Sequence, residues 1–339
     1  MTKQTVKHFA LSLVVLGVVL TPPLSLAQAR FAPKLPGKHA ASSSAQAASR
    51  QAKTPDSPTY NYTLLSFPGT LYTYATGINL GATTSKIEIV GGYGPDVEDT
   101  PAGFLARVSE KKTVAETYEA VNYPHVPPQQ GAESVNDLGQ IVGEYLDSSG
   151  DFHGYERAGG KFSQINVPFA GATGTFPFGI NNSGEVVGGW NDSDGNEHGF
   201  TLIGSTYASF DYPGSIYTNP FGLNSAGDIV GQYEDASGVG HGFLLSGGTY
   251  TSFDFPGAVE TFGVGINDAG DIIGVYCLTS ECISTFEGAQ GFLLSGGVFT
   301  TITVPGEFYT EALGINNNGV VVGFYQDADG LVVSFLATP

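Results

Sequence analysis

Residues 222–257 of the chain read GLNSAGDIVGQYEDASGVGHGFLLSGGTYTSFDFPG, and variants of this stretch recur along most of the sequence. The asparagine of its G-[IL]-N core occurs at Asn79, Asn136, Asn181, Asn224, Asn267 and Asn316. Successive copies are 57, 45, 43, 43 and 49 residues apart. Periods of roughly 40–50 residues are typical of propeller blades and of helical arrays. The chain is therefore predicted to be a repeat protein.

Each unit contains four short segments with the two-residue alternation of β-strands, here called strands a to d, and glycine-rich turns separate them. This pattern excludes a helical array. The last unit ends after its strand c at 332–336, while residues 62–67 near the start of the repeats have the pattern of a strand d. We therefore predict an all-β fold: a six-bladed β-propeller of four-stranded antiparallel blades, closed by the N-terminal strand, which completes the last blade.

Recurrent residues within the unit have physical reasons. The asparagine of N-x-x-G can accept a hydrogen bond from the turn backbone, as in an Asx turn. A glycine inside strand b, such as Gly188, indicates close approach of a neighbouring backbone. The aromatic residue two positions later, such as Trp190, is predicted to pack between neighbouring sheets.

The N-terminal region is predicted to lie outside the repeat fold. Residues 1–29 have the positive start, short apolar run and small-residue cleavage site of a secretory signal peptide. Residues 30–58 are rich in Ala, Ser and Pro without apolar periodicity, which is typical of a disordered linker. Residues 59–339 form the predicted propeller. We expect a secreted or periplasmic protein with no membrane span after signal removal.

The charge distribution restricts the partners. The formal net charge is −19, and no Lys or Arg occurs in residues 162–339. Such a surface repels phosphate backbones, so nucleic-acid binding is not expected. It could attract Ca²⁺, although solubility alone also explains it. We expect a monomer.

Two cysteines, Cys277 and Cys282, lie in one loop of a chain that is predicted to be exported. A local disulfide is the expected state, because oxidising compartments favour such bonds. The other units lack cysteine at these positions, so the bond is predicted to staple one loop and not to set the fold.

The pattern G-I-N-x-x-G-x-[IV]-[IV]-G, followed by H-G-F-L and Y-x-S-F-D-x-P-G, resembles the HAF-type repeat of bacterial extracellular proteins. That family is named for a His-Ala-Phe motif, which here reads His198-Gly199-Phe200 and, in the next unit, His241-Gly242-Phe243. The resemblance covers residues 60–339 and departs from the family name at the middle position. It implies an exported protein and a propeller, and it implies no defined activity.

The b–c and d–a loops of a four-stranded blade emerge at one end of a propeller, which we call the loop end. Binding residues usually lie in variable loops on a rigid scaffold. Six aromatic residues are predicted to contact a ligand at this end and at the channel mouth: Tyr74, Phe176, Tyr217, Phe221, Phe262 and Tyr309. Four aspartates are candidate Ca²⁺ ligands: Asp192, Asp194, Asp327 and Asp329. Asp-Gly turns alone are enough to explain these aspartates.

Three equivalent histidines, His153, His198 and His241, do not fit one metal site, because packed sheets stand about 10 Å apart and a Zn–N bond is about 2.0–2.1 Å. A hydrogen bond to a loop or turn is the expected role. No arrangement of catalytic residues can be distinguished from the residues that recur in every repeat.

The sequence thus predicts an exported binding module for an extracellular carbohydrate or a protein partner. A propeller-fold glycoside hydrolase or lyase, with paired carboxylates near the channel, is an alternative. A structural surface protein without a discrete site is another.

Overall fold

The structure is a computed structural model. It describes residues 60–81, 86–94, 102–109, 115–126, 129–280, 282, 288–307, 309–327 and 330–339. The predicted signal peptide and linker, residues 1–58, lie outside the described residues. No helix in the described ranges is long and apolar enough to cross a lipid bilayer.

The described residues form short strands throughout, as the alternation in sequence predicts. The early strands are β1 (Asn61–Leu65), β2 (Tyr72–Ile78), β3 (Lys86–Gly94), β4 (Ala102–Ser109), β5 (Ala115–Val121), β6 (Ser134–Val135), β7 (Ile141–Leu146), β8 (Phe152–Ala158) and β9 (Lys161–Ile165). The central strands are β10 (Gly174–Ile180), β11 (Val186–Asn191), β12 (Glu197–Ile203), β13 (Thr206–Phe210), β14 (Tyr217–Leu223), β15 (Ile229–Glu234), β16 (Gly240–Ser246) and β17 (Thr249–Phe253). The last are β18 (Glu260–Ile266), β19 (Ile272–Cys277), β20 (Gln290–Ser295), β21 (Val298–Ile302), β22 (Tyr309–Ile315), β23 (Val321–Gln326) and β24 (Val332–Thr338).

The chain closes on itself through its first strand. Strands β22, β23 and β24 pair in order, and β1 adds to the outer side of β24. The pairing is antiparallel and runs from Asn61 opposite Thr338 to Leu65 opposite Ser334. The predicted completion of the last sheet by the N-terminal strand is therefore observed, and it covers an edge that would otherwise be open.

The prediction of six separate four-stranded blades is wrong. The structure has four four-stranded blades, and β6–β13, from the second and third repeat units, form one eight-stranded sheet. Gly174 in β10 pairs in parallel with Phe152 in β8 to join the two halves. The missing side chain of Gly154 permits this approach, because a Cβ there would lie 2.4 Å from Cγ of Pro177. The propeller thus contains one double-width sheet.

Aromatic rings pack between neighbouring sheets, as predicted. Tyr233 of β15 stacks on Tyr212, which follows β13 of the preceding sheet, with ring centroids 3.6 Å apart. Tyr276 stacks on Phe255 at the same distance. Offset-stacked rings add to the free energy of area burial, so these contacts bind each unit to the next.

The glycine of strand b lies against the adjacent backbone, which confirms the prediction for this position. A Cβ on Gly188 would lie 2.0 Å from the carbonyl oxygen of Phe176. The pairing of β10 with β11 shifts register between Pro177 and Gly179. This bulge directs strand a towards the glycine, and no larger residue fits there.

Candidate binding site

The recurrent asparagines form hydrogen bonds at the end of the propeller opposite the loop end, which we call the turn end. Oδ1 of Asn181 accepts hydrogen bonds from the backbone N–H groups of Ser183 and Glu185, both at 3.0 Å. The predicted Asx turn is therefore confirmed. In addition, Nδ2 of Asn181 donates to the carbonyl oxygen of Asn224, 3.1 Å away in the next unit.

The same contact between units recurs from Asn136 to Asn181, from Asn224 to Asn267 and from Asn267 to Asn316. Sequence reasoning missed this second role. The sequence did contain a signal for it. An aspartate can cap an Asx turn equally well, yet all six core positions are asparagine. Only the amide supplies the N–H group that links the units.

The aspartates predicted to bind Ca²⁺ cap hairpin loops at the loop end. Oδ1 of Asp192 accepts hydrogen bonds from the backbone N–H groups of Asp194 and Asn196 at 2.8 and 2.9 Å. Burial raises the pKa of Asp192, but hydrogen bonds from Asn196, His198 and Asp194 outweigh it and lower the pKa to about 2. Asp327 accepts a hydrogen bond from the equivalent backbone N–H of Leu331 at 2.9 Å.

Asp329 lies outside the described residues. Among the residues that the structure describes, no group of three or more His, Cys, Asp or Glu side chains is arranged to hold a metal ion. The contacts of Asp192 and Asp327 thus support the Asp-Gly turn, the second interpretation of these aspartates.

The three equivalent histidines tie the b–c loop to the end of strand d. Nδ1 of His198 lies 3.1 Å from the carboxylate of Asp211, and Nε2 lies 3.4 Å from Oδ2 of Asp192. The ring stacks on Trp190 with centroids 4.7 Å apart. Because His153 and His241 make the corresponding contacts, the predicted hydrogen-bonding role is confirmed.

The aromatic residues predicted to contact a ligand lie in strands and not in loops. Five of them are at most 8% exposed: Tyr74, Phe176, Tyr217, Phe221 and Phe262. Tyr309 is half-buried and packs against the others. Most of these rings belong to one buried cluster, the channel cluster: Tyr72, Tyr74, Phe176, Phe178, Phe221, Phe262, Val264, Leu313 and Phe324.

The interpretation of these rings as loop aromatics is therefore wrong. Strand a of every unit faces the centre of the propeller, and burial of apolar area draws the rings together there. Cys277 and Cys282 form the predicted disulfide and pack against the same cluster.

Five glutamates of the described residues are buried, and the three least exposed are Glu133, Glu144 and Glu311, at 4%, 2% and 2%. Burial raises the pKa of Glu133 and that of Glu311 to about 8, and burial together with the charge of Glu133 raises the pKa of Glu144 well above its usual range. The hydroxyl of Tyr309 donates a hydrogen bond to Glu311. Sequence reasoning missed all three carboxyl groups.

A central cavity of about 60 Å³ lies between the units. Its wall consists of equivalent strand segments from every unit: residues 76–78, 133–135, 178–180, 221–223, 264–266 and 313–315, with Leu80. Four of the apolar residues in this wall, among them Phe178 and Phe221, belong to the channel cluster. Among the described residues, Glu133 is the one glutamate that lines this cavity.

Exposed apolar side chains concentrate at the loop end. Leu71, Ile216 and Val259 directly precede strand a in three units and are 65%, 43% and 39% exposed. Three more belong to b–c loops at the same end: Val239, Leu278 and Leu331. At the turn end, the exposed large apolar side chains of the described residues are Leu138, Ile203 and Val298.

No protein-family model matches the sequence, and no curated protein matches it. Among solved structures, the Trypanosoma rangeli sialidase superposes with a TM-score of 0.53 at 7% identity, over 79% of this chain and 55% of the sialidase chain. This chain thus spans about half the length of that sialidase. TolB from Acinetobacter baumannii (TM-score 0.49, 13% identity, 78% of this chain and 63% of TolB) and the fucose-specific lectin from Aleuria aurantia (0.48, 11%, 79% and 97%) are further matches. At such identities the similarity to the sialidase shows the fold alone, which is a β-propeller.

Proposed function

We propose that this protein is an exported β-propeller of the HAF-repeat type that binds a protein partner through its loop end. The observation that carries the proposal is the repeated exposure of Leu71, Ile216 and Val259 at equivalent positions of three units. Clustered exposed apolar side chains with a polar rim are typical of protein–protein interaction sites. Carboxylates supply that rim, among them Asp211 and Asp254, whose side chains are 47% and 48% exposed.

Charge defines the complementary surface of the partner. Residues 162–339 contain no Lys or Arg, so the loop end has no cationic side chain over more than half of the repeats. A partner with basic residues around an apolar centre would be attracted over a distance set by the ionic strength. The association rate is therefore expected to fall as salt is added.

A carbohydrate ligand is less well supported. Stacking on a sugar requires exposed aromatic rings, whereas five of the six rings predicted for this role are buried. The central cavity of about 60 Å³ is also well below the roughly 300–1,000 Å³ of small-molecule pockets. These two observations favour a protein surface over a glycan, and they argue equally against a glycosidase site in the channel.

The test compares two triple variants of the full exported chain. Variant L71S/I216S/V259S removes the apolar side chains of the loop end, and L138S/I203S/V298S removes three side chains of similar or greater exposure at the turn end. Each chain is cross-linked to the extracellular proteins of its host, and the cross-linked partners are quantified by mass spectrometry at low and high salt. Circular dichroism melts check that both variants fold.

We expect one set of partners to be retained by the turn-end variant, lost by the loop-end variant and weakened by salt. Equal loss in both variants would refute the assignment to the loop end. If the chain cross-links to no protein but gives specific signals on a glycan array, the ligand is a carbohydrate and not a protein.

A further inference from the structure

The second repeat unit departs from the others where its strand a faces the centre of the propeller. Glu133, three residues before the core Asn136, stands where the other units have Thr76, Phe178, Phe221, Val264 and Leu313. Two residues earlier, Gly131 stands where they have larger side chains. The second unit thus has a carboxyl group at one position and no side chain at another, where most of its counterparts contribute to an apolar core.

A second carboxyl group enters the same space from the neighbouring strand. A Cβ on Gly131 would lie 2.5 Å from Oε1 of Glu144 and 2.6 Å from Oε1 of Glu133. Both carboxyl groups therefore occupy the volume that any side chain at position 131 would fill. Because they converge on one point from β7 and from the segment before β6, they could bind one ligand together.

Neither carboxyl group has its full set of partners. Oε1 of Glu133 and Oε2 of Glu144 are buried and accept no hydrogen bond within the described residues. The nearby hydroxyl groups are engaged elsewhere: Tyr155 donates to the carbonyl of Gly131 at 2.7 Å, and Thr76 donates to that of Ala132 at 2.8 Å. Buried polar atoms in native proteins are almost always paired with protein, water or an ion.

No cation of the described residues neutralises the pair. Arg157, the arginine nearest in sequence, forms an ion pair with Glu119 instead. Burial raises the pKa of both glutamates, because a carboxylate without a counter-charge is costly in a low-dielectric interior. A bound cation would remove this cost.

The cavity limits what such a ligand can be. Glu133 lines it, and its volume of about 60 Å³ has room for about four to six water-sized particles if each needs roughly 10–15 Å³. An organic ligand of drug or sugar size does not fit. An ion that keeps part of its water shell does.

We propose that one hydrated divalent cation of the hard, oxygen-seeking class, Mg²⁺ or Ca²⁺, binds between Glu133 and Glu144 beside Gly131, at the edge of the central cavity that Glu133 lines. Two carboxylates balance the charge of such an ion, and carboxylate, carbonyl and water oxygens are its preferred ligands. Mg²⁺ in particular is commonly held by one or two carboxylates and several waters. The site lies inside the propeller and is separate from the loop aspartates Asp192 and Asp327.

The experiment uses the full chain, stripped with EDTA, dialysed and then exposed to Mg²⁺ alone or Ca²⁺ alone. Bound metal is counted by mass spectrometry, and thermal unfolding is recorded with and without each ion. The variants are E133Q and E144Q, which keep the side-chain shape. The control is D192N, which alters the loop carboxylate.

We expect one ion per wild-type chain and a rise in Tm of about 5 °C at a 100-fold excess over Kd. E133Q and E144Q should lose both the ion and the ion-dependent rise, whereas D192N should keep both. Comparing each variant with and without the ion separates binding from any change in its basal stability.

Two results would overturn the proposal. Loss of the ion in D192N with retention in E133Q would move it to the loop end. Wild-type protein that holds no ion and shows no rise with either cation would mean that the two glutamates share a proton instead.

Discussion

Replacing Asn181 with alanine tests the hydrogen bonds that link the repeat units. The side chain is fully buried and makes four hydrogen bonds: its Oδ1 accepts two from the turn backbone, and its Nδ2 donates to Oε2 of Glu185 at 2.8 Å and to the carbonyl of Asn224 at 3.1 Å. We expect this substitution to destabilise the eight-stranded sheet more than any exposed substitution in the same turn.

The expected loss of stability depends on whether each hydrogen-bond partner of Asn181 can find another partner after the substitution. Ser183 is exposed, so water can replace its bond, and each turn amide is expected to lose about 0.5–1 kcal/mol. The carbonyl of Asn224, a residue only 2% exposed, keeps the hydrogen bond from the backbone N–H of Gly227 at 3.1 Å, so losing the second bond costs about 0.5–1.5 kcal/mol. The free energy of unfolding should therefore fall by about 1.5–3.5 kcal/mol.

The assay is urea unfolding followed by tryptophan fluorescence. The chain has one tryptophan, Trp190, which is 8% exposed and lies in β11, the strand paired with β10, so its emission reports on the sheet that contains the substitution. Ser183→Ala in the same turn is the control and should change stability by no more than about 0.5 kcal/mol.

Asn181→Asp separates the two roles of the amide. It keeps the oxygen that caps the turn but replaces the donor with an oxygen that faces Oε2 of Glu185 and the carbonyl of Asn224. We expect destabilisation at pH 7 at least as large as that of Asn181→Ala, with partial recovery below about pH 4, where the new carboxyl group is protonated. If Asn181→Asp matched the wild type at pH 7, or Asn181→Ala cost less than about 0.5 kcal/mol, the link between units would carry no stability.

Three further outcomes are expected. The pKa of Glu311 is about 8 in the folded chain against its ordinary 4.5. Between about pH 4.5 and 8 the native state therefore holds a proton that the unfolded chain releases, and the free energy of unfolding falls as pH rises through this range. The variant Glu311→Gln should flatten this slope in urea titrations, and it should stabilise the protein at pH 9 but not at pH 4. In Gly188→Ala the new Cβ would lie 2.0 Å from a carbonyl oxygen, so Tm should fall by about 10 °C or more, on the order expected for overpacking of several kcal/mol. The control is Gly195→Ala, where φ is 82° and the space around the residue is open; it should show only the smaller penalty of an unfavourable φ. Replacing Cys277 and Cys282 together with serine should destabilise the chain by about 2 kcal/mol, since the loop between them is short; an unfolded double variant would show that the bond sets the fold.

Much of the architecture follows from local sequence. The alternation of apolar residues predicts the strands, and the N-x-x-G turns predict the hairpins, because both depend on residues that are close in the chain. Residues 62–67 predict the closure, because they have the pattern of a strand d and the last unit lacks one. The Cys277–Cys282 bond was predictable for the same reason. The roles of His198 and its equivalents followed from their spacing alone.

The candidate site was less accessible to sequence reasoning. The aromatic residues at positions such as Phe176 and Phe221 were expected to contact a ligand at the loop end and the channel mouth, but they are buried in strand a at the centre of the propeller. Their burial depends on the side chains that other units contribute to the same space, which no single repeat contains.

The repeat sequence by itself determined that this chain forms short antiparallel strands that close into a β-propeller, since turn chemistry and two-residue periodicity act over a few residues. Only the tertiary structure decided that the second and third units merge through Gly174 and Phe152, and that Glu133 and Glu144 meet beside Gly131. Both depend on how closely backbones from different strands approach each other, and that distance is set by packing across the whole propeller.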